Sequence, residues 1–218
     1  MSIIVDILGQ SGSGKSRSIK GLDPKNTFLI NVQSKPLPFR NTGFSEVGPE
    51  NQKGNMVSID NSEAIKKYIQ LYSDKRPDIK NIVIDDFQYM MANEFMRRAS
   101  EKGFDKFTDI GSKAWDLINT ASHLRSNLII YFLSHDEPAL DNNGDRKQKT
   151  IGKMLDDKIC LEGMFTIVLF TSVSDGKYCF LTQSNGHNTA KSPEGMFPAK
   201  IDNDLGLVEK GIRDYYQI

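Results

Sequence analysis

Cysteine and histidine are scarce in this sequence. Its 218 residues include two cysteines, Cys160 and Cys179, and three histidines, His123, His135 and His187. No CxxC pair occurs and the histidines are scattered, whereas a structural zinc site needs about four ligands at tight spacing. The sequence therefore argues against a zinc site, and both thiols are predicted to be small core residues of a protein in a reducing compartment.

Net charge and long apolar runs are also missing. Lysine plus arginine and aspartate plus glutamate number 28 each, so the formal net charge is zero. Any contact with nucleic acid must then come from a local basic patch, because there is no overall positive field. No apolar run approaches the roughly 20 residues of a membrane span, and the start MSIIVDILGQ lacks the basic region of a signal peptide. We therefore expect a cytoplasmic protein with no membrane partner.

The sequence does contain short apolar runs that alternate with helical patterns. Four apolar runs predict buried strands of a mostly parallel sheet, at 3–8, 27–32, 81–86 and 127–134. Helical spacing predicts flanking helices at 62–72, 87–100 and 112–124. Two runs around Ser174-Asp175-Gly176 predict a C-terminal β-hairpin, and the tail after Ser192 is predicted to wrap the surface. Length and the lack of a linker predict a single α/β domain over residues 1–218.

A glycine-rich loop follows the first predicted strand. Residues 9–16 read GQSGSGKS and match the phosphate-binding pattern GxxxxGK[ST]. Glycines let main-chain N–H groups turn toward phosphate oxygens, and the next helix adds its positive N-terminal end. Lys15 is predicted to reach the β- and γ-phosphates, and Ser16 to ligate Mg²⁺. The nucleotide-binding residues predicted in this way are Gly9, Gln10, Ser11, Gly12, Ser13, Gly14, Lys15, Ser16 and Arg17.

Two carboxylates follow the apolar residues of the third predicted strand. Asp85 is the natural candidate to hold the water shell of Mg²⁺ opposite Ser16, since P-loop proteins use an acidic residue at such a strand end. Asp86 stands where an acid can activate the attacking water. Its side chain could equally be the N-cap of the next helix, and the sequence leaves both interpretations open.

The fourth predicted strand ends in Ser134-His135. A polar residue at the tip of this strand can sense the γ-phosphate, which makes His135 a candidate site residue. A lone histidine is otherwise most simply interpreted as an exposed loop imidazole, so this alternative stays open as well.

At this point the chain resembles the short RecA-like ATPases of bacteriophages, including those described as single-strand-annealing recombinases. The resemblance depends on five segments, GQSGSGKS, FLINVQSKPLPF, NIVIDDFQ, IIYFLSHDEP and NTAKSPEGMFP. It implies a RecA-like P-loop NTPase fold, with ATP and Mg²⁺ as cofactors. It also implies a homo-oligomer with ATP at the subunit interface, and phage recombination or replication proteins as partners in the host cytoplasm.

The resemblance further implies that single-stranded DNA faces two loops, Arg97 to Gly111 and Asp136 to Lys153. Their basic residues could contact phosphates, and Phe104 or Phe107 could stack on an unpaired base. Two solvated loops are the alternative, because several aspartates dilute the charge. The basic residues are Arg97, Arg98, Lys102 and Lys106 in the first loop, and Arg146, Lys147, Lys149 and Lys153 in the second.

Two more site residues are carried over from the resemblance. Lys191 falls where ring and filament relatives supply a cation to the neighbouring subunit's γ-phosphate; its alternative is an ordinary surface lysine. Gln33 falls just after the second strand, where RecA relatives usually carry a glutamate that polarises water. A glutamine can orient water but cannot accept its proton, so slow hydrolysis is expected.

Two other functions remain open from the sequence. A nucleotide-switched assembly or loader protein would use ATP to hold subunits together, which the glutamine at position 33 favours. A small-molecule kinase would need clustered lid arginines to shield the reaction from water, and the only adjacent pair is Arg97-Arg98. The sequence has no NKxD guanine motif, which favours ATP over GTP.

Overall fold

A mostly parallel eight-stranded sheet organises the chain. The computed structural model describes residues 1–41, 43–139, 145–151 and 159–218. The strands are β1 (Ile3–Leu8), β2 (Thr27–Asn31), β3 (Met56–Val57), β4 (Asn81–Asp85), β5 (Ile129–Ser134), β6 (Asp136–Pro138), β7 (Arg146–Gln148), β8 (Ile167–Ser174), β9 (Lys177–Leu181) and β10 (Lys200–Asp202). The helices are α1 (Lys15–Ser18), α2 (Ser62–Lys75), α3 (Gln88–Arg97), α4 (Asp105–Ser122) and α5 (Leu205–Tyr216), with 3-10 turns at Ile19–Gly21 and Leu161–Met164.

The sheet has the order β10-β9-β8-β1-β5-β4-β2-β3, and β6 and β7 pair separately as a two-stranded sheet. The six strands from β8 to β3 pair in parallel, whereas β9 and β10 are antiparallel additions at one edge. Because parallel strands point the same way, the loops after β1, β2, β4 and β5 meet at one edge of the sheet. The prediction of an α/β, RecA-like P-loop fold with a mostly parallel sheet and a C-terminal hairpin is confirmed.

The central strands are buried on both faces, as expected for a parallel sheet covered by helices. Strands β1, β2, β4 and β5 are buried along nearly their whole length. One face packs against α2, α3 and α4, and the other against α5 and the first 3-10 turn. The hairpin turn between β8 and β9 places Asp175 and Gly176 at φ 51° and 72°, the left-handed pair that a tight two-residue turn needs.

Three local predictions were wrong. Helix α4 begins at Asp105, so the loop that follows α3 is far shorter than predicted. Phe107 stacks on Phe95 of α3, with ring centroids 5.4 Å apart, and this contact stabilises the additional N-terminal turns of α4. The tail forms strand β10, which pairs with β9, and helix α5, which Asp204 caps through the N–H groups of Gly206 and Leu207.

The third error concerns the cysteines. Cys179 is buried on β9 as predicted, but Cys160 is exposed. Over the described ranges, no helix is both long and apolar enough to cross a membrane.

Candidate functional site

The glycine-rich loop joins β1 to α1 at the carboxyl edge of the sheet. Gly12 and Gly14 have φ values of 78° and 99°, which only glycine adopts without strain. The turn is closed by the N–H and hydroxyl of Ser13, both donating to the carbonyl of Gln10 at 3.2 and 2.6 Å. The main chain therefore has the curled conformation that the phosphate-binding pattern predicts.

Thr171 of β8 supports this loop from behind. Its hydroxyl lies 2.6 Å from Ser13 Oγ and 3.1 Å from the carbonyl oxygen of Leu8. Gly9 leaves room for the contact, since a Cβ there would lie 1.7 Å from Thr171 Oγ1. Sequence analysis missed Thr171, because the contact joins residues that are far apart along the chain.

Lys15 is buried inside the loop. Its ammonium donates to the carbonyls of Gly9 at 2.7 Å and Gln10 at 2.9 Å. Burial lowers the pKa of Lys15 to about 8, and the nearby carboxylates of Asp86 and Asp85 oppose that shift. The cation is thus held at the centre of the loop, where phosphate oxygens would replace the carbonyls as partners.

Ser16 and Asp85 meet across the site. The Ser16 hydroxyl donates to Asp85 Oδ1 at 2.8 Å, and Asp85 is the buried last residue of β4. Burial, followed by the charge of Asp86, raises the pKa of Asp85 to about 6. A hydroxyl and a carboxylate side by side are the hard oxygen ligands that Mg²⁺ prefers, with water and phosphate completing the shell. The two residues therefore fit a magnesium ion.

Asp86 faces the pocket with a strained backbone. Its φ is 61°, which is uncommon for a residue with a side chain. Its carboxylate accepts from Lys35 Nζ at 2.9 Å and lies 3.7 Å from His135 Nε2. The alternative that Asp86 is a helix N-cap was wrong: Phe87 precedes α3, and no side chain caps it.

His135 also lines the pocket instead of standing in an exposed loop. Its main-chain N–H donates to Gln88 Oε1 at 3.1 Å, and its ring contacts the ring of Tyr89 edge-on at 6.0 Å between centroids. Burial, reinforced by the charge of Lys15, lowers the pKa of His135. The imidazole is therefore mostly neutral near pH 7 and can exchange hydrogen bonds with a neighbouring phosphate or water.

Two predicted site residues lie apart from this group. Gln33 is directed toward α3, where its Nε2 lies 3.4 Å from Asn93 Oδ1, and it does not line the pocket. Lys191 pairs through its main chain with Val168 of β8 and lies within electrostatic range of the buried carboxyl of Asp6. The structure does not bring either side chain to the phosphate loop of its own chain.

The pocket formed by these elements has a volume of about 330 Å³. It also contains residues that sequence analysis did not identify, above all Lys35 from the loop after β2 and Tyr178 from β9. The guanidinium of Arg17 lies 4.6 Å from the centroid of the Tyr178 ring. Ligands of parallel α/β sheets bind at the carboxyl ends of the strands, and this rule could have identified the loop that carries Lys35. The lining residues are Ser11, Gly12, Gly14, Lys15, Ser16, Arg17, Lys35, Pro36, Leu37, Pro38, Asp85, Asp86, His135 and Tyr178.

Much of the basic charge in the first predicted DNA loop is paired within the chain. Arg97 bonds Asp60 at 2.8 Å, Arg98 bonds Glu101, and Lys106 donates to main-chain carbonyls. By contrast, Phe104 is 84% exposed at the tip of this loop.

The second predicted DNA loop is only partly described. Arg146 pairs with Asp136 and Lys147 with Glu137, whereas Lys149 is exposed. Lys153 lies outside the described residues.

Comparison with known proteins gives one family. Residues 2–194 match the family model described as AAA domain. No curated protein matches. Among solved structures, the chain is similar to the genome packaging NTPase B204 from Sulfolobus turreted icosahedral virus 2 in complex with ATP-gammaS. The two share 13% sequence identity with a TM-score of 0.41, over 80% of this chain and 76% of the other.

Proposed function

This chain belongs to the AAA domain family, and we propose that it binds ATP with Mg²⁺ and hydrolyses it slowly. The observation that carries the proposal is that Lys15, Ser16, Asp85 and Asp86 converge on one pocket beside a correctly curled phosphate loop. Ser16 and Asp85, 69 residues apart in the sequence, would have no reason to meet if the glycine-rich segment were an ordinary turn.

Each side chain has a distinct part in this reaction. Lys15 binds the β- and γ-phosphates, while Ser16 and Asp85 would hold Mg²⁺, which would neutralise charge on the phosphates. Asp86 orients the attacking water and accepts its proton, and His135 bonds the γ-phosphate oxygens. Hydrolysis is slow because Asp86 has a short side chain and, before nucleotide binds, is held by Lys35 at 2.9 Å, so Lys35 must leave before Asp86 can act as a base.

The test is ATP hydrolysis by wild type and Lys15→Ala, with Lys67→Ala as control because Lys67 is exposed on α2, remote from the pocket. Loss of the phosphate-binding cation should lower turnover by about 100-fold or more, while the control keeps the wild-type rate. Equal loss of activity in both variants, or a Lys15→Ala variant that hydrolyses ATP normally, would refute the proposed site.

We propose further that single-stranded DNA is the partner, in phage recombination or replication, and that a homo-oligomer binds it. Phe104 supports this, since a large aromatic ring at 84% exposure can stack on an unpaired base. Lys102 in the first predicted DNA loop and Lys149 in the second are exposed and can contact phosphates.

The DNA proposal is tested by adding single-stranded DNA at low salt. Turnover should rise, and Phe104→Ala should weaken DNA binding by about 1–3 kcal/mol. Leu71→Ala, which removes an exposed apolar side chain from α2, should leave binding unchanged. DNA-independent turnover together with no measurable binding would contradict the proposal.

A nucleotide-switched assembly protein is the second candidate, and one observation favours it. The ion pair between Lys35 and Asp86 occupies the carboxylate that hydrolysis needs, so ATP could persist at a subunit interface. Its mark would be an oligomer that grows with ATP and not with ADP. A small-molecule kinase is less well supported, because Arg17 is the only arginine among the described residues that lines the pocket. Phosphate transfer to a nucleoside monophosphate would reverse this order.

A further inference from the structure

Two lysines line the phosphate pocket. Lys15 comes from the glycine-rich loop, and Lys35 comes from the loop that follows β2. Lys35 Nζ lies 2.9 Å from Asp86 Oδ2 and 5.1 Å from the centroid of the Tyr89 ring. The same chain therefore supplies the pocket with a second positive charge that a transferred phosphoryl group could use.

The loop around Lys35 is built to hold this residue in place. Asn31, 6% exposed at the end of β2, donates from Nδ2 to the Lys35 carbonyl at 2.7 Å. Its Oδ1 accepts from the Lys35 N–H at 3.3 Å. Ser34, just before Lys35, adopts a left-handed φ of 53°. Pro36, just after Lys35, has its own φ fixed by the proline ring. A buried asparagine that bonds both main-chain groups of one lysine distinguishes Lys35 from a mobile surface lysine.

We propose that Lys35 binds the γ-phosphate of ATP in cis, and that ATP binding exchanges its ion pair with Asp86 for that phosphate. The proposal rests on the proposed function. The side chain of Lys35 is 56% exposed, so its ammonium can swing while the main chain stays fixed. A terminal phosphate carries more charge than one carboxylate and offers three acceptor oxygens, so it competes well for the ammonium. ADP, which ends at the β-phosphate, has no group at that place.

The exchange makes the availability of the Asp86 carboxylate depend on whether the bound nucleotide has a γ-phosphate. Once Lys35 leaves, the Asp86 carboxylate is free to bond the attacking water. The water oxygen then forms a bond to the γ-phosphorus, and the bond from that phosphorus to the β–γ bridging oxygen breaks with its electron pair going to ADP. The proton of the water passes to Asp86, which returns it to solvent. Asp86 is thus released as a base only when a γ-phosphate is present.

The experiment compares the affinities of ATPγS and ADP for wild type, Lys35→Ala, Lys35→Arg and Lys25→Ala by titration calorimetry. Lys35→Ala should weaken ATPγS roughly 10- to 100-fold, the range expected for one charge-assisted hydrogen bond. It should change ADP affinity by less than about threefold. Lys35→Arg keeps the charge and should retain most of the preference for ATPγS. Lys25 is an exposed lysine in the turn before β2, and its removal should change neither affinity.

Asp86→Asn gives an independent readout. With no carboxylate to hold Lys35, ATPγS should bind as tightly as to wild type or several-fold more tightly, while ATP hydrolysis falls sharply. Weaker ATPγS binding in this variant would overturn the exchange.

The outcomes separate the two proposals. Wild type that binds neither nucleotide would overturn the proposed function, and the role of Lys35 with it. If wild type binds and hydrolyses ATP, and Lys35→Ala prefers ATPγS over ADP by the same factor as wild type, the role of Lys35 alone would be overturned. Far-ultraviolet circular dichroism and thermal melting of each variant establish that it is folded.

Discussion

Alanine at Gly9 tests whether Thr171 holds the phosphate loop from behind. A Cβ at Gly9 would lie 1.7 Å from Thr171 Oγ1 and 2.7 Å from Ser13 Oγ, whereas real Cβ atoms essentially never come within 3.0 Å of such atoms. Either Thr171 rotates or the loop moves. Rotation takes the hydroxyl away from Ser13 Oγ and from the Leu8 carbonyl.

The expected cost follows from these contacts. Loss of the hydroxyl's bonds, with a buried partner left unsatisfied, costs about 1–3 kcal/mol, and a strained rotamer adds about 0.5–1.5 kcal/mol. We therefore expect Gly9→Ala to lower the free energy of unfolding by about 2–4 kcal/mol. Thr171→Ala alone should lower it by about 1–2 kcal/mol, because it loses the bonds without a clash.

The double variant is the decisive measurement. Without the Thr171 hydroxyl the 1.7 Å approach disappears, and Ser13 Oγ at 2.7 Å becomes the nearest atom, so the more severe clash is removed. The two substitutions should then be non-additive by about 1–2 kcal/mol in urea unfolding. Gly48→Ala is the matched control, because a Cβ there meets nothing within 4 Å. Additivity within about 0.5 kcal/mol would show that Thr171 does not support the loop in this way.

Three further predictions concern other parts of the chain. Gly14→Ala should weaken ATP binding at least about tenfold by calorimetry, since φ there is 99° and the Cβ would meet Tyr178 at 2.8 Å; unchanged affinity would contradict this reading. Asp6→Asn should raise the free energy of urea unfolding near pH 7 but not near pH 3, and a pH-independent effect would refute this. Burial and the charge of Glu162 raise the pKa of Asp6 despite Lys191. Wild type therefore loses stability as pH rises from the unfolded-state pKa of Asp6 to its folded-state pKa, by about 1.4 kcal/mol for each pH unit between them. Asp204→Ala removes the N-cap of α5 and should lower the free energy of unfolding by about 1 kcal/mol, seen as a lower melting temperature. Asp202 is exposed, and Asp202→Ala should leave the melting temperature unchanged.

The parts of the site that could be predicted from sequence are those encoded in contiguous residues. A buried strand, a glycine-rich turn and a lysine follow one another within residues 3–16, so their geometry is fixed locally. Asp85 was predictable for a similar reason, since it ends a strand of uniform burial. Helix α5 was also readable, because Asp204 precedes apolar residues at helical spacing, but the prolines before it favoured an irregular tail.

Thr171, Tyr178 and Asn31 could not be assigned because their roles depend on pairing between distant strands. Thr171 reaches the loop only because β8 lies beside β1 in the sheet. Tyr178 reaches it only because the hairpin returns over the same edge. Neither residue type nor local spacing carries this information, because the order of the strands is set by tertiary pairing.

Lys35 shows how strand order selects the partner of a charge. β2 is three strand spacings from β1, or about 14 Å, so the sequence could place the loop after β2 at the ligand-binding edge of the sheet but could not name the partner of its lysine. However, β2 lies directly beside β4, with Asn31 opposite Asp85. The residues that follow these two strands must therefore meet, which brings the ammonium of Lys35 onto the carboxylate of Asp86. Asp86 in turn lies within the electrostatic range of Lys15, so the sheet order places a second cation in the pocket that Lys15 lines.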